Sequence, residues 1–286
     1  MRRPAAVPVV ADEAVRLGGV ELRQPAVQRL FLSTPGSASR TLLVFMRDWL
    51  PLIGLLVTYE LMRDLVPLVG VAPRDLMGLE RWLGEGSEAT LALQAAFYQP
   101  SQVSLMDFFS SVVYFLHFAL PAVVGVYLWF DDRHSFQLFA ASLLAVSFLA
   151  FLTYVALPTL PPWLGHPQDV HKVIDETIHK LRVPGWLVSV YSDRDYNVEA
   201  AFPSLHSAFP LIAAVHVWAR NWRLGVVLAL WTLIVWVSVV YLGEHYVVDV
   251  MGGVAYAVVA MLLVVLWQRV SQTRTGPLKH ARAAGL

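Results

Sequence analysis

The sequence contains no cysteine and little charge for its length. Without cysteine the chain can form no disulfide, no thiolate zinc site and no cysteine nucleophile. Only 15% of its 286 residues are charged and 57% are hydrophobic, whereas about 25% of the residues of a soluble domain are charged. A net charge of zero offers no electrostatic attraction for nucleic acid. This composition excludes an ordinary soluble domain, a coiled coil and a disordered chain, and it predicts a protein that crosses the membrane several times.

Charge-free apolar runs long enough to cross roughly 30 Å of hydrocarbon mark the membrane spans. Five runs are clear: Phe108–Phe130, Ser135–Val155, Phe202–Ala219, Leu224–Gly243 and Val250–Gln268. A sixth, about Trp49–Leu68, begins as an apolar run but carries Glu60, Arg63 and Asp64 in its second half. The sequence therefore predicts an all-α, polytopic membrane protein with six transmembrane helices in a bundle.

The spans divide the chain into three predicted parts. Residues 1–40 form a cytoplasmic N-terminal arm, 41–270 the six-span catalytic membrane domain, and 271–286 a cytoplasmic tail. Leucines between Arg74 and Tyr98 recur at helical spacing, which predicts an interfacial helix or helix pair on the outer leaflet.

Basic residues divide unequally between the two sides of the membrane that six spans define. Both termini share one side with the turns at 131–134 and 220–223, and this side carries 14 of the 21 Lys and Arg residues. Cationic loops stay in the cytoplasm. We therefore expect a multi-pass cell-membrane protein with cytoplasmic termini, whose long loops, about 69–107 and 156–201, lie outside.

The first of two informative histidines opens the fourth span, in Phe202-Pro-Ser-Leu-His206. Pro203 suits the first position of a helix, which would place Ser204 and His206 in the first turn. The N–H groups of a first turn have no partner within the helix and lie at the positive end of its dipole. The sequence therefore predicts an anion site here, at the outer end of the span.

The second histidine, His245, lies between the fifth and sixth spans, four residues before Asp249. The two side chains share a helix face if the sixth helix has begun by then. A carboxylate can accept the proton of one ring nitrogen and leave the other nitrogen as a nucleophile. His206, across the site, could protonate a leaving oxygen. Together these residues predict double displacement on an anionic substrate at the outer face of the membrane.

Each histidine taken singly also fits a structural or a metal-binding role. A lone intramembrane histidine is more often a packed residue that hydrogen-bonds between helices. A histidine with an aspartate four residues later could be half of a metal site, and His166, His171 and His179 in the outer loop could supply more ligands. The matching positions of His206 and His245 at span ends favour the catalytic interpretation.

Two segments resemble the second and third signature motifs of the type 2 phosphatidic acid phosphatase superfamily: Pro203-Ser-Leu-His206 and Ser238-Val-Val-Tyr-Leu-Gly-Glu-His245-Tyr-Val-Val-Asp249. Six spans and a separation of 39 residues between the histidines agree with this resemblance. It implies that His245 is the nucleophile and forms a phosphohistidine, that Asp249 orients it, and that His206 is the general acid. It also implies that neither a metal nor a cofactor is needed.

The chain departs from the family pattern at two places. Val239 rather than arginine follows Ser238 in the third motif, and the first motif, with its lysine and Arg-Pro, is absent. In its place stands Ala156-Leu-Pro-Thr159-Leu-Pro-Pro-Trp163. This segment resembles the inositolphosphorylceramide synthase (aureobasidin-resistance) branch, which implies transfer of a phospho-head group between lipids.

Other groups must then bind the phosphate. We predict that Ser204, at the start of the fourth span, does so together with Thr159 and Tyr241. Arg194 is the loop cation closest in sequence to the motif and is a further candidate. His117, within the second span, either lines the substrate cavity or packs between helices.

The leading hypothesis is a membrane phosphotransferase that acts on a lipid phosphoester from the outer leaflet. It would pass a head group such as inositol phosphate to a lipid or polyol acceptor. The second hypothesis is a lipid or polyprenyl phosphate phosphatase, with water as acceptor. The third is a non-enzymatic six-span transporter or scaffold, which the intact His206, His245 and Asp249 argue against. The oligomeric state is left open.

The charge distribution makes the topology testable. A cysteine introduced into the loop at 156–201 should react with an impermeant thiol reagent in intact cells, because the basic residues hold the opposite side in the cytoplasm. A tag at Leu286 should be inaccessible until the cells are permeabilised. The reverse labelling pattern would place the paired histidines on the cytoplasmic side.

Overall fold

A computed structural model describes residues 16–17, 20–21, 42–50, 52–54, 57, 69–85, 88–185, 188 and 199–283, with side chains up to Ser271. The chain divides into two compact units, Met1–Arg47 and Asp48–Leu286. In the first unit, β1 (Arg16–Leu17) and β2 (Val20–Glu21) form one short antiparallel pair. The rest of the predicted arm, residues 1–40, lies outside the described residues.

The described elements of the second unit are helices, which confirms the predicted all-α class. Residues 42–47 of the first unit and residues 48–50 and 52–54 of the second are also helical. The helices are α1 (Met77–Leu83), α2 (Ala89–Phe97), α3 (Leu105–Asp131), α4 (Arg133–Ala156), α5 (Pro162–Gly165), α6 (Val173–Lys180), α7 (Leu205–Trp218), α8 (Trp222–Tyr241) and α9 (Val247–Ala283). The pair α1 and α2 is the one that the leucine spacing predicts.

Four described helices are long and apolar enough to cross a membrane: α3, α4, α8 and the part of α9 from Val247 to Ser271. The apolar α7 is shorter, with 14 residues. Large hydrophobic side chains remain exposed along one face of α8, among them Val227, Leu230, Leu233 and Val237. An exposed stripe of this kind suits contact with lipid. Most of the first predicted span, about Trp49–Leu68, lies outside the described residues, so the count of six spans stays a prediction.

Polar contacts mark the end of the bundle opposite the paired histidines. Arg220 Nε donates to Asp131 Oδ2 at 2.7 Å, and Gln268 Nε2 donates to His134 Nε2 at 2.8 Å. The turns at 131–134 and 220–223 therefore share one end, as the six-span arrangement requires. Which side of the membrane this end faces stays a prediction. The predicted tail, 271–286, continues α9 as a helix to Ala283.

Helix α7 lies at the centre of the bundle and contacts α3, α4, α8 and α9. Its buried positions are mostly small, namely Ser207, Ala208, Ala213 and Ala214. Small residues allow helix backbones to approach closely. Since His206 stands in the first turn of α7, this central position brings it within reach of several spans.

The start of α7 corrects one prediction. The helix begins at Leu205 with Ser204 at the N-cap position, so Pro203 precedes the helix instead of opening it. The N–H of Ser204 donates to the carbonyl oxygen of Asp249 at 3.0 Å. The position of this segment is therefore set by contact with α9, which the local pattern of α7 does not reveal.

Candidate active site

The two motif histidines contact each other directly. Nδ1 of His206, in the first turn of α7, lies 3.0 Å from Nε2 of His245, two residues before α9. At this distance one ring nitrogen donates a proton and the other accepts it. If His206 is the donor, as its predicted role requires, the lone pair of His245 Nε2 is the acceptor. The structure thus brings together the two histidines that the sequence predicts as general acid and nucleophile.

Asp249 lies on the other side of the His245 ring. Its Oδ2 is 3.5 Å from His245 Nδ1 and accepts a hydrogen bond from the N–H of Tyr246 at 2.8 Å. Asp249 is fully buried and His245 is 6% exposed. The contact of 3.5 Å is longer than an ordinary hydrogen bond, so the carboxylate acts on the ring through its nearby charge. Asp249 stands in the first turn of α9, as the four-residue spacing predicts.

Two glycines of α9 allow the first motif histidine to reach the second. A Cβ on Gly253 would lie 2.1 Å from the carbonyl oxygen of Ser204 and 2.0 Å from Ser207 Oγ. A Cβ on Gly252 would meet the ring of Phe202 at 2.3 Å. Any larger residue at either position would push the start of α7, and His206 with it, away from α9.

The turn that leads to His245 is held by the outer loops. Gly243 has φ of +80°, and a Cβ there would lie 2.7 Å from the carbonyl oxygen of His171, so both backbone conformation and space require glycine. The buried Gln94 of α2 donates through Nε2 to the carbonyls of Tyr241 and His171, both at 2.9 Å. The N–H of Trp163 donates to the carbonyl of Gly243 at 3.2 Å.

Glu80, which no sequence motif marked, caps the helix that carries Asp249. It is 4% exposed, and its carboxylate accepts hydrogen bonds from the N–H groups of Val248 at 3.1 Å and Val247 at 3.3 Å. A negative charge at a helix N-terminus is favourable. Burial raises the pKa of Glu80 above its usual range, and the charge of Asp249 adds to this, while the two N–H groups oppose it.

Asp75 supports Tyr246, the residue next to His245. Its Oδ1 accepts from the hydroxyl of Tyr246 at 2.8 Å, and its Oδ2 lies 2.8 Å from Nε2 of His166. Burial alone would raise the pKa of Asp75, but the hydrogen bonds from His166, Tyr246 and the N–H of Met77 outweigh it and lower the pKa. The only sequence signal for Asp75 and Glu80 was their position in the predicted outer-loop helix region.

Three rings of α3 surround His206. The ring of Tyr114 stacks on it with centroids 4.8 Å apart, and those of His117 and Phe118 lie at 4.9 Å and 5.6 Å. The structure therefore brings the predicted His117 to the site. His117 is 3% exposed, and neither of its ring nitrogens has a hydrogen-bond partner among the described residues.

Three predicted phosphate ligands are buried next to the motif segments. Thr159 Oγ1 accepts from the N–H of Phe202 at 2.7 Å and so holds the segment before α7. The hydroxyl of Tyr241 donates to the buried Asp107 at the start of α3. Ser204 Oγ has no hydrogen-bond partner in the part of the chain that the structure describes. Their roles as substrate ligands stay predictions.

The cations of the second outer loop are largely engaged elsewhere or lie outside the described residues. Lys172 pairs with Asp175 at 3.2 Å, and Lys180 pairs with Glu176 at 3.3 Å. Arg194 falls in a part of the loop outside the described residues, and its role stays a prediction.

The outer-loop histidines pair with separate carboxylates. His166 lies against Asp75, and His171 Nδ1 is 2.9 Å from Glu176 Oε1. Among the described residues no group of three or more His, Asp or Glu side chains is arranged to hold a metal ion.

The helix ends of this membrane bundle bring two histidines and an aspartate together. This arrangement is typical of one class of enzymes that act on phosphoesters. Residues 74–263 match the PAP2 superfamily, and the chain belongs to this superfamily. The match confirms the resemblance that the two histidine motifs carry. Superfamily membership supports a lipid phosphatase or phosphotransferase embedded in the membrane.

Curated relatives place the chain near one branch. The phosphoinositol dihydroceramide synthase of Bacteroides thetaiotaomicron is 27% identical over 229 residues, which cover 72% of each chain. The inositol phosphorylceramide synthase catalytic subunit of Schizosaccharomyces pombe is 26% identical, with 61% of this chain and 44% of the relative covered. The inositol phosphorylceramide synthase of Candida albicans is 26% identical, with 48% and 31% covered. The chain thus spans less than half of the last two relatives, and no solved structure matches it.

Glu80 offers a test of how the site is held. Glu80→Ala should lower lipid phosphoester turnover more than Glu80→Gln, because alanine leaves the N–H groups of Val247 and Val248 without this acceptor. Loss of an acceptor for a buried donor costs about 1–3 kcal/mol, whereas glutamine retains one acceptor oxygen. Turnover and thermal unfolding in detergent measure the effect. Glu85→Ala, at an exposed position of the same loop, is the control, and equal turnover in Glu80→Ala and Glu85→Ala would contradict the positioning role.

Proposed function

We propose that this protein transfers a phospho-head group between lipids through a covalent intermediate on His245. The observation that carries the proposal is the 3.0 Å approach of His206 Nδ1 to His245 Nε2. This contact supports a mechanism in which His206 as proton donor and His245 as nucleophile act on one phosphoester. The relatives named as phosphoinositol dihydroceramide and inositol phosphorylceramide synthases support inositol phosphate as the head group and a ceramide-type lipid alcohol as the acceptor.

In the first half-reaction, Nε2 of His245 attacks the phosphorus atom of the donor lipid. The N–P bond forms as the bond from phosphorus to the lipid oxygen breaks, and His206 gives its proton to the departing oxygen. The ring of His245 becomes positively charged in this step. Asp249, 3.5 Å from Nδ1 and fully buried, stabilises that charge and fixes the ring.

Substrate entry must separate the two rings, because a direct hydrogen bond leaves no room for a phosphorus atom between them. The turn of His245 is bonded to other elements through Tyr246, which binds both Asp75 and Asp249. We therefore expect the side chain of His206 to rotate, with the rings of α3 as its support.

The start of α7 supplies groups that suit the phosphate oxygens. N–H groups of a first helical turn and the positive end of the helix dipole bind anions without a cation. Ser204 Oγ is fully buried at this helix start and can add one donor. These groups would take the place of the lysine and arginine that the chain lacks in the first and third motifs.

In the second half-reaction, the hydroxyl of the acceptor attacks the phosphorus atom and releases His245. Water in place of the lipid alcohol would give a phosphatase, which is the alternative outcome of the same chemistry. We further propose that this happens on the extracytoplasmic side, because the opposite end of the bundle belongs to the side with most of the Lys and Arg residues.

The proposed chemistry requires no metal, since the nucleophile is an imidazole and the anion is held by N–H and hydroxyl groups. Turnover should therefore be unchanged after treatment with EDTA. Orthovanadate mimics a five-coordinate phosphoryl group and should inhibit. Loss of activity on chelation that zinc restores would overturn the phosphohistidine mechanism and favour a metal site built from the outer-loop histidines.

Substitution of His245 and substitution of His206 should affect the reaction in different ways. His245→Ala should form no covalent intermediate at all, whereas His206→Ala should still form it from a substrate with a p-nitrophenyl leaving group, which needs little protonation. With a lipid leaving group, His206→Ala should lose about 10²–10⁴-fold in rate. The rate of Asp249→Asn should lie between the rates of the two histidine variants, because asparagine keeps the shape of aspartate but not its charge.

Acid-quench trapping of the labelled intermediate and rates on both substrates measure these effects. Release of inorganic phosphate from a lipid phosphate in the absence of any alcohol acceptor would identify the protein as a phosphatase. Equal rescue of His245→Ala and His206→Ala by the activated leaving group would mean that the two roles are assigned wrongly.

A further inference from the structure

His117 is a buried histidine that the mechanism above does not use. It is 3% exposed, and neither ring nitrogen has a hydrogen-bond partner among the described residues. A buried polar group without a partner costs about 1–3 kcal/mol of stability. If the residue at this position served packing alone, phenylalanine would be more stable there than histidine. Two phenylalanines, Phe118 and Phe209, already contact the ring of His117.

The position of His117 indicates what its two ring nitrogens, which have no hydrogen-bond partner among the described residues, can bind. Its ring centroid lies 4.9 Å from that of His206, with the ring planes inclined by 43°. Tyr114, one helical turn earlier, stacks on the same His206 ring. His117 thus lies buried beside His206, the proton-transferring group of the mechanism proposed above.

The surroundings of His117 select the kind of ligand. Its neighbours are aromatic rings and His206, and no described contact pairs it with a carboxylate. A neutral imidazole presents one N–H donor and one acceptor nitrogen. A hydroxyl group can accept a hydrogen bond from this N–H and at the same time donate its own proton to the neighbouring His206, whereas a phosphate oxygen only accepts.

We propose that His117 binds the hydroxyl of the acceptor lipid and aims it at the phosphorus atom on His245. The proposal rests on the function proposed above and assigns the acceptor subsite to the α3 side of His206. The N–H of His117 donates to the attacking oxygen, whose own proton points to His206. As the O–P bond forms and the N–P bond of His245 breaks, His206 accepts the proton that it gave away in the first half-reaction.

The experiment compares His117→Phe and His117→Gln with the unchanged protein in detergent micelles. The donor is radiolabelled phosphatidylinositol and the acceptor a fluorescent short-chain dihydroceramide. Trapping of the covalent intermediate reports the donor step, and the labelled product reports transfer. Thermal unfolding reports stability.

His117→Phe should lower transfer to the acceptor by roughly tenfold, the equivalent of one hydrogen bond to the reacting group. The loss should exceed any loss in intermediate formation and should leave the unfolding temperature unchanged or raised. His117→Gln, which retains a donor and an acceptor, should recover part of the transfer. It also keeps the test available if His117→Phe does not fold.

His216 provides the matched control. It is a partly buried histidine of α7, ten residues beyond His206 and thus about 15 Å away along the helix, and its ring N–H donates to the carbonyl of Ile212. His216→Phe should leave transfer unchanged. Full transfer in His117→Phe, or equal loss of intermediate formation and transfer, would overturn the role of His117. Absence of any covalent intermediate in the unchanged protein would instead overturn the proposed function.

Discussion

The close contact between the start of α7 and the start of α9 is the constraint on which the site depends. Ser204 donates its N–H to the carbonyl of Asp249, and Ser207 Oγ donates to the carbonyl of Val250 at 3.1 Å. Gly253 leaves the space that this approach needs. Because His206 follows Ser204 and His245 precedes α9, the same contact sets the distance between the two imidazoles. The contact between the two histidines is thus a consequence of helix packing at one level of the bundle.

The long helices hold the two motif segments together, and the segments between these helices fix the backbone around His245. Apolar side chains of α6, Val173 and Ile174, are fully buried against Leu242 at the end of α8. Glu80 and Gln94, from the two helices of the first outer loop, then bind backbone groups on either side of His245. A hydrogen bond to backbone fixes a turn in a way that nondirectional apolar packing cannot. The described part of the loop at 69–107 therefore belongs to the candidate active site.

The interior of the bundle holds more polar atoms than stability alone would favour. Ser110, Ser111 and His117 lie on one face of α3 and are buried without side-chain hydrogen-bond partners among the described residues. Such groups lower stability unless something binds them. Natural sites often trade stability for function in this way. The polar face of α3 beside His206 is consistent with a cavity that accepts hydroxyl-bearing molecules.

The sequence by itself determined the membrane class, the bounds of four candidate spans and of the shorter apolar α7 to within a few residues, and the grouping of His206 with His245 and Asp249. These features depend on apolar runs and short motifs, which are local. Only the tertiary structure revealed Glu80, because the helix start that it caps lies 167 residues away along the chain. It also placed Pro203 before α7, through the contact of Ser204 with α9, and it brought His117 against His206. A side chain in the middle of an apolar span carries no local sign of what it faces, since that depends on how the helices pack.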